Sequence, residues 1–350
     1  MAKRDLVAIG GSAGSVGPLR TILSSLPRDF PAVIVIVLHV PSDSTGIFNT
    51  VAAASAALPV HAAKEGMVLE RGHIYLGVPN FHLIVQDGML RLGSGPRENL
   101  VRPAIDPLFR SAAASYGPRA IGVILSGMMN DGADGLRAIK RCAGIALVQS
   151  PHDSAASDMP LAALEATSVD LSTEAENLGA AILRHVNEEA EPARHVDRDI
   201  LVEIEIALGS RYNSQIAAEI SQPVPLTCPD CGGVLSQVNA ARPLRFRCQV
   251  GHSYTSKALL QEKEGSVDEA VRVALRIVEE RAELVGRMGK DAAEAGRTGM
   301  AEMYEDRAAE YRRYAETLRA AVLKTIAQEN PLGEERLVHT QIIGPVPEEE

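Results

Sequence analysis

The stretch that most constrains this chain is Leu6-Val-Ala-Ile-Gly-Gly-Ser-Ala-Gly-Ser15, an apolar strand pattern running straight into a glycine-rich turn that holds Ser12. A helix is expected to follow over 16–26, so the chain must reverse sharply between the two. Residues 10–14 read as G-x-S-x-G, the spacing of a nucleophile elbow, in which small neighbours let a serine hydroxyl project from a tight strand-to-helix turn. Two other readings stay open at this point. Backbone N–H groups at a helix N-terminus attract anions, and a serine in such a turn can simply cap the helix. A dinucleotide fingerprint fits poorly, because Ser12 stands where its second glycine belongs and the next apolar strand ends in His39, not in an acid. No Lys-Ser/Thr pair follows, which excludes a Walker loop.

Residues 32–38 form a continuous β-branched run, and 120–125 and 145–149 are shorter runs of the same kind. Such segments read as strands buried on both faces. They alternate with stretches of helical spacing over 16–26, 45–57 and 106–116, with a helix running through about 142 and, after a polar loop that holds Met159-Pro160, two more helical stretches to about 186. The pattern predicts an α/β fold with a doubly wound parallel sheet. Residues 73–78, 82–86 and 89–92 are expected to be antiparallel and peripheral, with Asp87-Gly88 as a hairpin turn. In open parallel sheets, reactive groups collect beyond the carboxyl ends of the strands. Ser12, His39 and Asp131 each lie at or just past such an end. A serine nucleophile needs a base, and the base needs a carboxylate to orient it; these three residues supply one of each. Taken singly, His39 also reads as an ordinary loop residue and Asp131 as a turn or cap. The order serine, histidine, acid differs from that of the α/β-hydrolases, so an ordinary lipase or esterase fold is not expected.

A formal net charge of −10 argues against nucleic acid as a partner and disfavours an anionic membrane surface. No stretch approaches a membrane span, and glycines interrupt the first apolar run too early for a signal peptide. A cytoplasmic protein is expected. Aromatic residues make up only 3% of the chain and Trp is absent, so the core must be aliphatic.

The elbow, His39, the stretches 72–85 and 102–110, and Leu125-Ser-Gly-Met-Met-Asn-Asp-Gly132 together resemble the catalytic domain of the bacterial chemotaxis protein-glutamate methylesterase, CheB, over residues 4–186. The resemblance implies Ser12 as nucleophile, His39 as general base and then acid, and Asp131 as the orienting carboxylate. It implies backbone donors at Ala13 and Met128 for the oxyanion, and no metal or organic cofactor for catalysis. The implied reaction is hydrolysis of glutamate γ-methyl esters on chemoreceptors, with deamidation of receptor glutamines as a related activity. Three departures stand out: Ala13-Gly14-Ser15 replaces the family's common Thr-Gly-Gly, Met129 occupies a position where many members carry Gly, and only Met1 to Asp5 precede the first strand, where the chemotaxis enzyme has a receiver domain. Activation by a receiver in the same chain is therefore not expected.

Beyond 186 the chain changes character. Residues 187–222 are expected to form a linker, although 200–208 alternates as a strand does and is nearly as compatible with a short helix. Cys228-Pro-Asp-Cys231, followed by Cys248-Gln-Val-Gly-His252, gives a Cys₃His set with the knuckle spacing of a structural zinc ribbon, expected over 223–255. Cys142, far from this set, reads as a small buried hydrophobe. Arg242, Arg245 and Arg247 are expected on a solvated face. Residues 256–288 and 298–328 each carry an apolar stripe, at Val267, Val271, Ala274, Val278, Ala282 and Val285, and at Tyr304, Ala308, Tyr311, Ala315, Leu318 and Val322. An antiparallel helical hairpin over 256–328 is expected, then a disordered tail over 329–350. The expected partners are a methylated chemoreceptor or similar helical signalling protein and a separate regulator replacing the receiver; homodimerisation stays open. The competing functional reading is a weakly catalytic scaffold acting through the ribbon and hairpin.

Overall fold

The computed structural model describes residues 2–40, 45–210, 214–239 and 241–329. Of the tail expected over 329–350, Glu329 ends a helix and 330–350 lie outside the described residues, as do the side chains of 322–329, that of Val322 included. The chain forms two compact units, Met1–Leu260 and Gln261–Glu350.

In the first unit, seven strands make one parallel sheet in the order β3-β4-β2-β1-β7-β8-β9. They are β1 (Leu6–Gly11), β2 (Val33–Leu38), β3 (Val60–Ala62), β4 (Ile74–Leu76), β7 (Ala120–Ile124), β8 (Ile145–Gln149) and β9 (Leu171–Thr173). Both faces are buried, and each long strand divides its side chains between them. Leu6 and Ala8 of β1, with Val33, Val35 and Val37 of β2, enter the core under α3 (Ile105–Tyr116), α4 (Ala133–Arg141) and α5 (Asp158–Ala166). Val7 and Ile9, with Ile34 and Ile36, enter the core under α1 (Val16–Ser25), α2 (Thr45–Ser55) and α6 (Ala175–Asn187). Continuous apolar runs arise because no residue of β1, β2, β7 or β8 faces water. Cys142 is 1% exposed in the first of these cores, and burial pushes its thiol up to about 11.

Four segments differ from expectation. Residues 74–76 are a buried parallel strand of the main sheet, so of the segments expected at the periphery only β5 (His82–Gln86) and β6 (Met89–Gly93) form an antiparallel hairpin. Met159 and Pro160, expected in a loop, lie in the first turn of α5, where a missing proline N–H costs nothing. Residues 187–222, expected as a linker, carry α7 (Arg198–Leu208) and α8 (Ser214–Ile220). The strand-like alternation in α7 has a physical cause: the helix is buried on two sides. Ile200, Ile204 and Ala207 face the core of the α/β layer, whereas Val202 and Ile206 pack with Ile220. Arg245 and Arg247, expected in solvent, are 1% exposed.

A four-stranded antiparallel sheet follows, made of β10 (Ser221–Thr227), β11 (Val234–Val238), β12 (Arg245–Cys248) and β13 (Ser253–Thr255). Its core of Leu235, Phe246, Tyr254, Ala258 and Leu259 also receives Leu100 and Met129 from the α/β layer. The helix α9 (Ser256–Glu294) starts within the first unit; in the second unit it continues to a turn at Gly296, with φ 71°, and α10 (Thr298–Glu329) runs back along it. Arg319 pairs with Glu279, and the Arg281 guanidinium lies 4.9 Å from the Tyr311 ring centroid. Ala282, Ala308 and Ala315 of the expected stripes are buried, whereas Val267 is exposed. Among the described residues no helix is long and apolar enough to cross a membrane.

Candidate active site

Strand order reverses at β1, which is flanked by β2 on one side and β7 on the other. Such a reversal opens a crevice beyond the carboxyl ends of the strands, because the connections leave in opposite directions. Ser12 follows β1, His39 follows β2, and residues 125–132 follow β7. Backbone hydrogen bonds draw the three loops together: His39 N–H donates to Gly11 O at 3.0 Å, and Ser12 N–H donates to Ser126 O at 2.9 Å. The turn at Ser12 closes on itself, with Ser15 Oγ donating to Ser12 O at 2.5 Å and Gly14 at φ 78°, a left-handed conformation that suits glycine. The G-x-S-x-G spacing therefore yields a tight strand-to-helix turn with Ser12 half-buried at the rim.

His39 and Asp131 meet, with Nε2 and Oδ2 3.0 Å apart. The approach is close, but Nε2 is not aligned for a hydrogen bond. Asp131 is 3% exposed and sits at the N-terminus of α3. Its Oδ2 accepts from Ile105 N–H at 2.6 Å; its Oδ1 accepts from Asn99 Nδ2 at 2.9 Å and from Asp106 N–H at 3.3 Å. Burial pushes this carboxyl up, but the His39 ring, the Ile105 N–H and the Asn99 amide outweigh it and hold Asp131 below the usual aspartate range. Asp106, also fully buried, is raised well above that range by burial and by the Asp131 charge. The structure thus keeps one carboxylate of the two ionised beside the imidazole.

Two loop positions complete the rim. Gly127 packs so closely that a Cβ there would lie 1.9 Å from Met159 Sδ and 3.0 Å from the Ser12 Cβ. Ser126 laces three loops, donating to Ala13 O and accepting from Ala156 N–H. Among the described residues the N–H groups of Ala13 and Met128 have no hydrogen-bond partner, and both residues are exposed beside Ser12 and Gly127. Met129 adopts φ 67°, and its N–H donates to Asp158 Oδ2 at 3.2 Å.

Sequence reading did not single out Asn99, Asp106, Ser126 or Asp158. Asp106 stood in the quoted stretch 102–110, which was the available signal. Ser126 likewise stood in the quoted stretch 125–132, whereas Asn99 and Asp158 act through partners far away in sequence and left none.

Cys228, Cys231, Cys248 and His252 come together, with their ligand atoms all within 4.8 Å of one another. Cys231 Sγ and Cys248 Sγ are 3.7 Å apart, and Cys228 Sγ and Cys248 Sγ lie 3.7 and 3.5 Å from His252 Nδ1. A tetrahedral ion with Zn–S near 2.3 Å and Zn–N near 2.0–2.1 Å requires separations of about 3.8 and about 3.6 Å. The donor set can hold such an ion.

The CheB methylesterase family model matches residues 7–182. A relative from Leptospira interrogans is 37% identical over 181 residues, which cover 51% of this chain and 94% of the relative. A protein-glutamate methylesterase/protein-glutamine glutaminase of Anaeromyxobacter dehalogenans is 39% identical over 169 residues, or 48% of this chain and 50% of that protein. The crystal structure of the Thermotoga maritima CheB methylesterase catalytic domain superimposes with a TM-score of 0.50 at 30% identity, covering 53% of this chain and 98% of the other.

Proposed function

The chain belongs to the CheB methylesterase family, and from that premise we propose that it hydrolyses glutamate γ-methyl esters on chemoreceptor-like signalling proteins, with deamidation of receptor glutamines as the matching amide reaction. The observation that carries this reading is the approach of His39 to the buried, ionised Asp131 at the rim that also bears Ser12.

Ser12 Oγ attacks the ester carbonyl while the imidazole nitrogen not facing Asp131 takes its proton. The N–H groups of Ala13 and Met128 receive the oxyanion; one such donor typically contributes about 10²–10³ in rate. The C–O bond to the methyl-bearing oxygen then breaks, His39 returns its proton, and methanol leaves a γ-glutamyl ester on Ser12. Water, activated by the same imidazole, releases the glutamate carboxylate. Asp131 orients the ring and stabilises its protonated form without itself taking a proton. With a glutamine substrate the leaving group is ammonia. No step needs a metal or organic cofactor.

Cys228, Cys231, Cys248 and His252 hold a structural zinc in a ribbon, supported by the match between their spacing and a tetrahedral ion. Four protein ligands leave no open position for substrate. Reduced thiols that bind metal suit the cytoplasm. The substrate is a methylated helical receptor, supported by the family match.

Methanol release from a methylated receptor, or from a peptide carrying a glutamyl γ-methyl ester, tests the reading. Wild-type turnover that disappears in Ser12→Ala supports it; turnover that survives this substitution, or none at all in the wild type, overturns it.

A further inference from the structure

The residues immediately after His252 grip the rim of the candidate active site at three points. Thr255 N–H donates to Asn99 Oδ1 at 3.1 Å, and the Asn99 Nδ2 donates in turn to Asp131. Thr255 Oγ1 donates to Asn130 Oδ1 at 2.6 Å, next to Asp131 in the chain. Lys257 Nζ donates to Asp158 Oδ2 at 2.7 Å, the same oxygen that holds the Met129 N–H. Asn99 is fixed from a further side, because its N–H donates to Ser253 O at 2.9 Å. Both loops therefore take hydrogen bonds from a five-residue segment, Ser253 to Lys257, that starts one residue past a metal-ligand histidine.

The backbone of these loops needs such support. Asn99, Leu100 and Met129 all have positive φ, of 51°, 72° and 67°. For residues with a side chain this conformation costs on the order of 1–3 kcal/mol and persists only when the surroundings over-determine it. Leu100 and Met129 are over-determined by burying their side chains against the core formed by Leu235, Phe246, Tyr254 and Leu259, which also contains Cys228 and Cys248. The cluster that places the metal ligands is thus continuous with the packing that holds the strained loops.

We propose that the Cys₃His module is a metal-dependent strap: the ion orders β13, and β13 with the start of α9 holds Asn99, Asp131 and the loop over 127–131 in the geometry that hydrolysis needs. This rests on the esterase reading for its catalytic consequence only. The ion takes no part in the chemistry; Asn99, Thr255 and Lys257 are positioning residues. An unliganded module of this size has too small a core to keep itself ordered, since structural metal binding supplies the folding energy of such modules. Loss of the ion therefore releases the loops.

The test uses the full chain, with zinc as the metal. Amide hydrogen exchange is followed with zinc bound, after chelation, and after zinc is returned. Protection at the Asn99 and Met129 amides should fall at least tenfold on chelation and recover with zinc, while that of Val35 in the central sheet stays constant. Two zinc-loaded variants separate the strap from simple unfolding. In Thr255→Val and Lys257→Met, with zinc content and sheet protection unchanged, kcat should fall about tenfold each with KM unchanged, as expected for misplaced reacting groups. Unchanged protection at Asn99 and Met129 on zinc removal, or wild-type kcat in both variants, overturns the strap. Absence of Ser12-dependent turnover in the wild type overturns the esterase reading instead, and the exchange measurement still decides the strap.

Discussion

Replacing Asp131 by asparagine tests the site most directly, because the structure dictates what the substitution meets. The carboxylate accepts from Ile105 N–H on Oδ2 and from Asn99 Nδ2 and Asp106 N–H on Oδ1. An asparagine amide has a single acceptor oxygen, so its NH₂ must face a donor whichever way it turns. Placed at Oδ2, the NH₂ opposes Ile105 N–H across 2.6 Å; placed at Oδ1, it opposes Asn99 Nδ2 across 2.9 Å. Turning Asn99 over does not relieve the second clash, since its own NH₂ would then oppose Thr255 N–H. At least one buried donor loses its partner, at about 1–3 kcal/mol, and a charge-assisted bond is lost beside it. Stability should fall by roughly 2–4 kcal/mol, a drop in Tm of about 5–15 °C for a unit of this size. Catalysis should fall further, because His39 loses the charge that fixes its tautomer; in serine hydrolases this costs kcat about 10⁴-fold. Melting and ester hydrolysis on the same sample separate the two effects, with kcat extrapolated to fully folded protein. A kcat within tenfold of wild type would refute both the assignment of Asp131 and the hydrogen-bond reasoning behind it.

Ser12→Ala should abolish turnover while leaving Tm within about 2 °C, as the side chain is half-buried and makes no hydrogen bond through Oγ among the described residues; a large loss of stability would assign Ser12 to the framework. Gly127→Ala would place a methyl 1.9 Å from Met159 Sδ and 3.0 Å from the Ser12 Cβ. Overpacking of about 1–3 kcal/mol and a kcat loss on the order of 10²-fold should follow, and unchanged kinetics would show that Ser12 needs no such close approach. Glu203 tests the buried charges: burial pushes its carboxyl up, but Arg245, Arg247 and Arg110 hold it at about 2, against an ordinary 4.5. A carboxyl depressed in the folded state stabilises fully above its unfolded value and loses this as pH falls toward the folded one. The Tm gap between wild type and Glu203→Gln should therefore be full at pH 5 and close progressively toward pH 2, and a gap independent of pH would refute the assignment.

The sheet was legible wherever a strand was long enough to show a buried run. β1, β2, β7 and β8 are five or six residues each and apolar apart from Gln149 at the end of β8, and the three candidate side chains beyond strand ends were found from such runs. β3, β4 and β9 are three residues each, too short for any period to appear, and they were missed or misassigned. α7 was ambiguous because burial on two sides adds a second apolar stripe to the first. Arg245 and Arg247 read as solvated because a guanidinium is rarely buried; their partners Glu98 and Glu203 lie more than 40 residues away, so local sequence carried no hint of them. Asn99 and Asp158 were invisible for the same reason. They matter only once Thr255 and Lys257 arrive from the far end of the unit.

Those buried charges also explain how the strap is aimed. Arg110 of α3 and Arg245 and Arg247 of β12 meet Glu98, Glu203 of α7 and Asp134 of α4, three cations against three carboxylates. Arg110 pairs with Glu98 at 2.6 Å, Arg245 with Asp134 at 2.6 Å and with Glu203 at 3.0 Å, and Arg247 with Glu203. Such a cluster adds little net stability, because desolvation cancels most of the Coulomb gain. A greasy interface of the same area would hold at least as well, but it could slide by a residue at small cost. Sliding here would strand a buried charge, at about 3–5 kcal/mol for each broken partnership. Glu98 adjoins Asn99, and Arg247 adjoins Cys248 of the Cys₃His cluster, so the register that satisfies the charges also brings Thr255 onto Asn99. The cluster contributes position more than affinity, and position is what the Asp131 carboxylate, 3.0 Å from the His39 imidazole, requires.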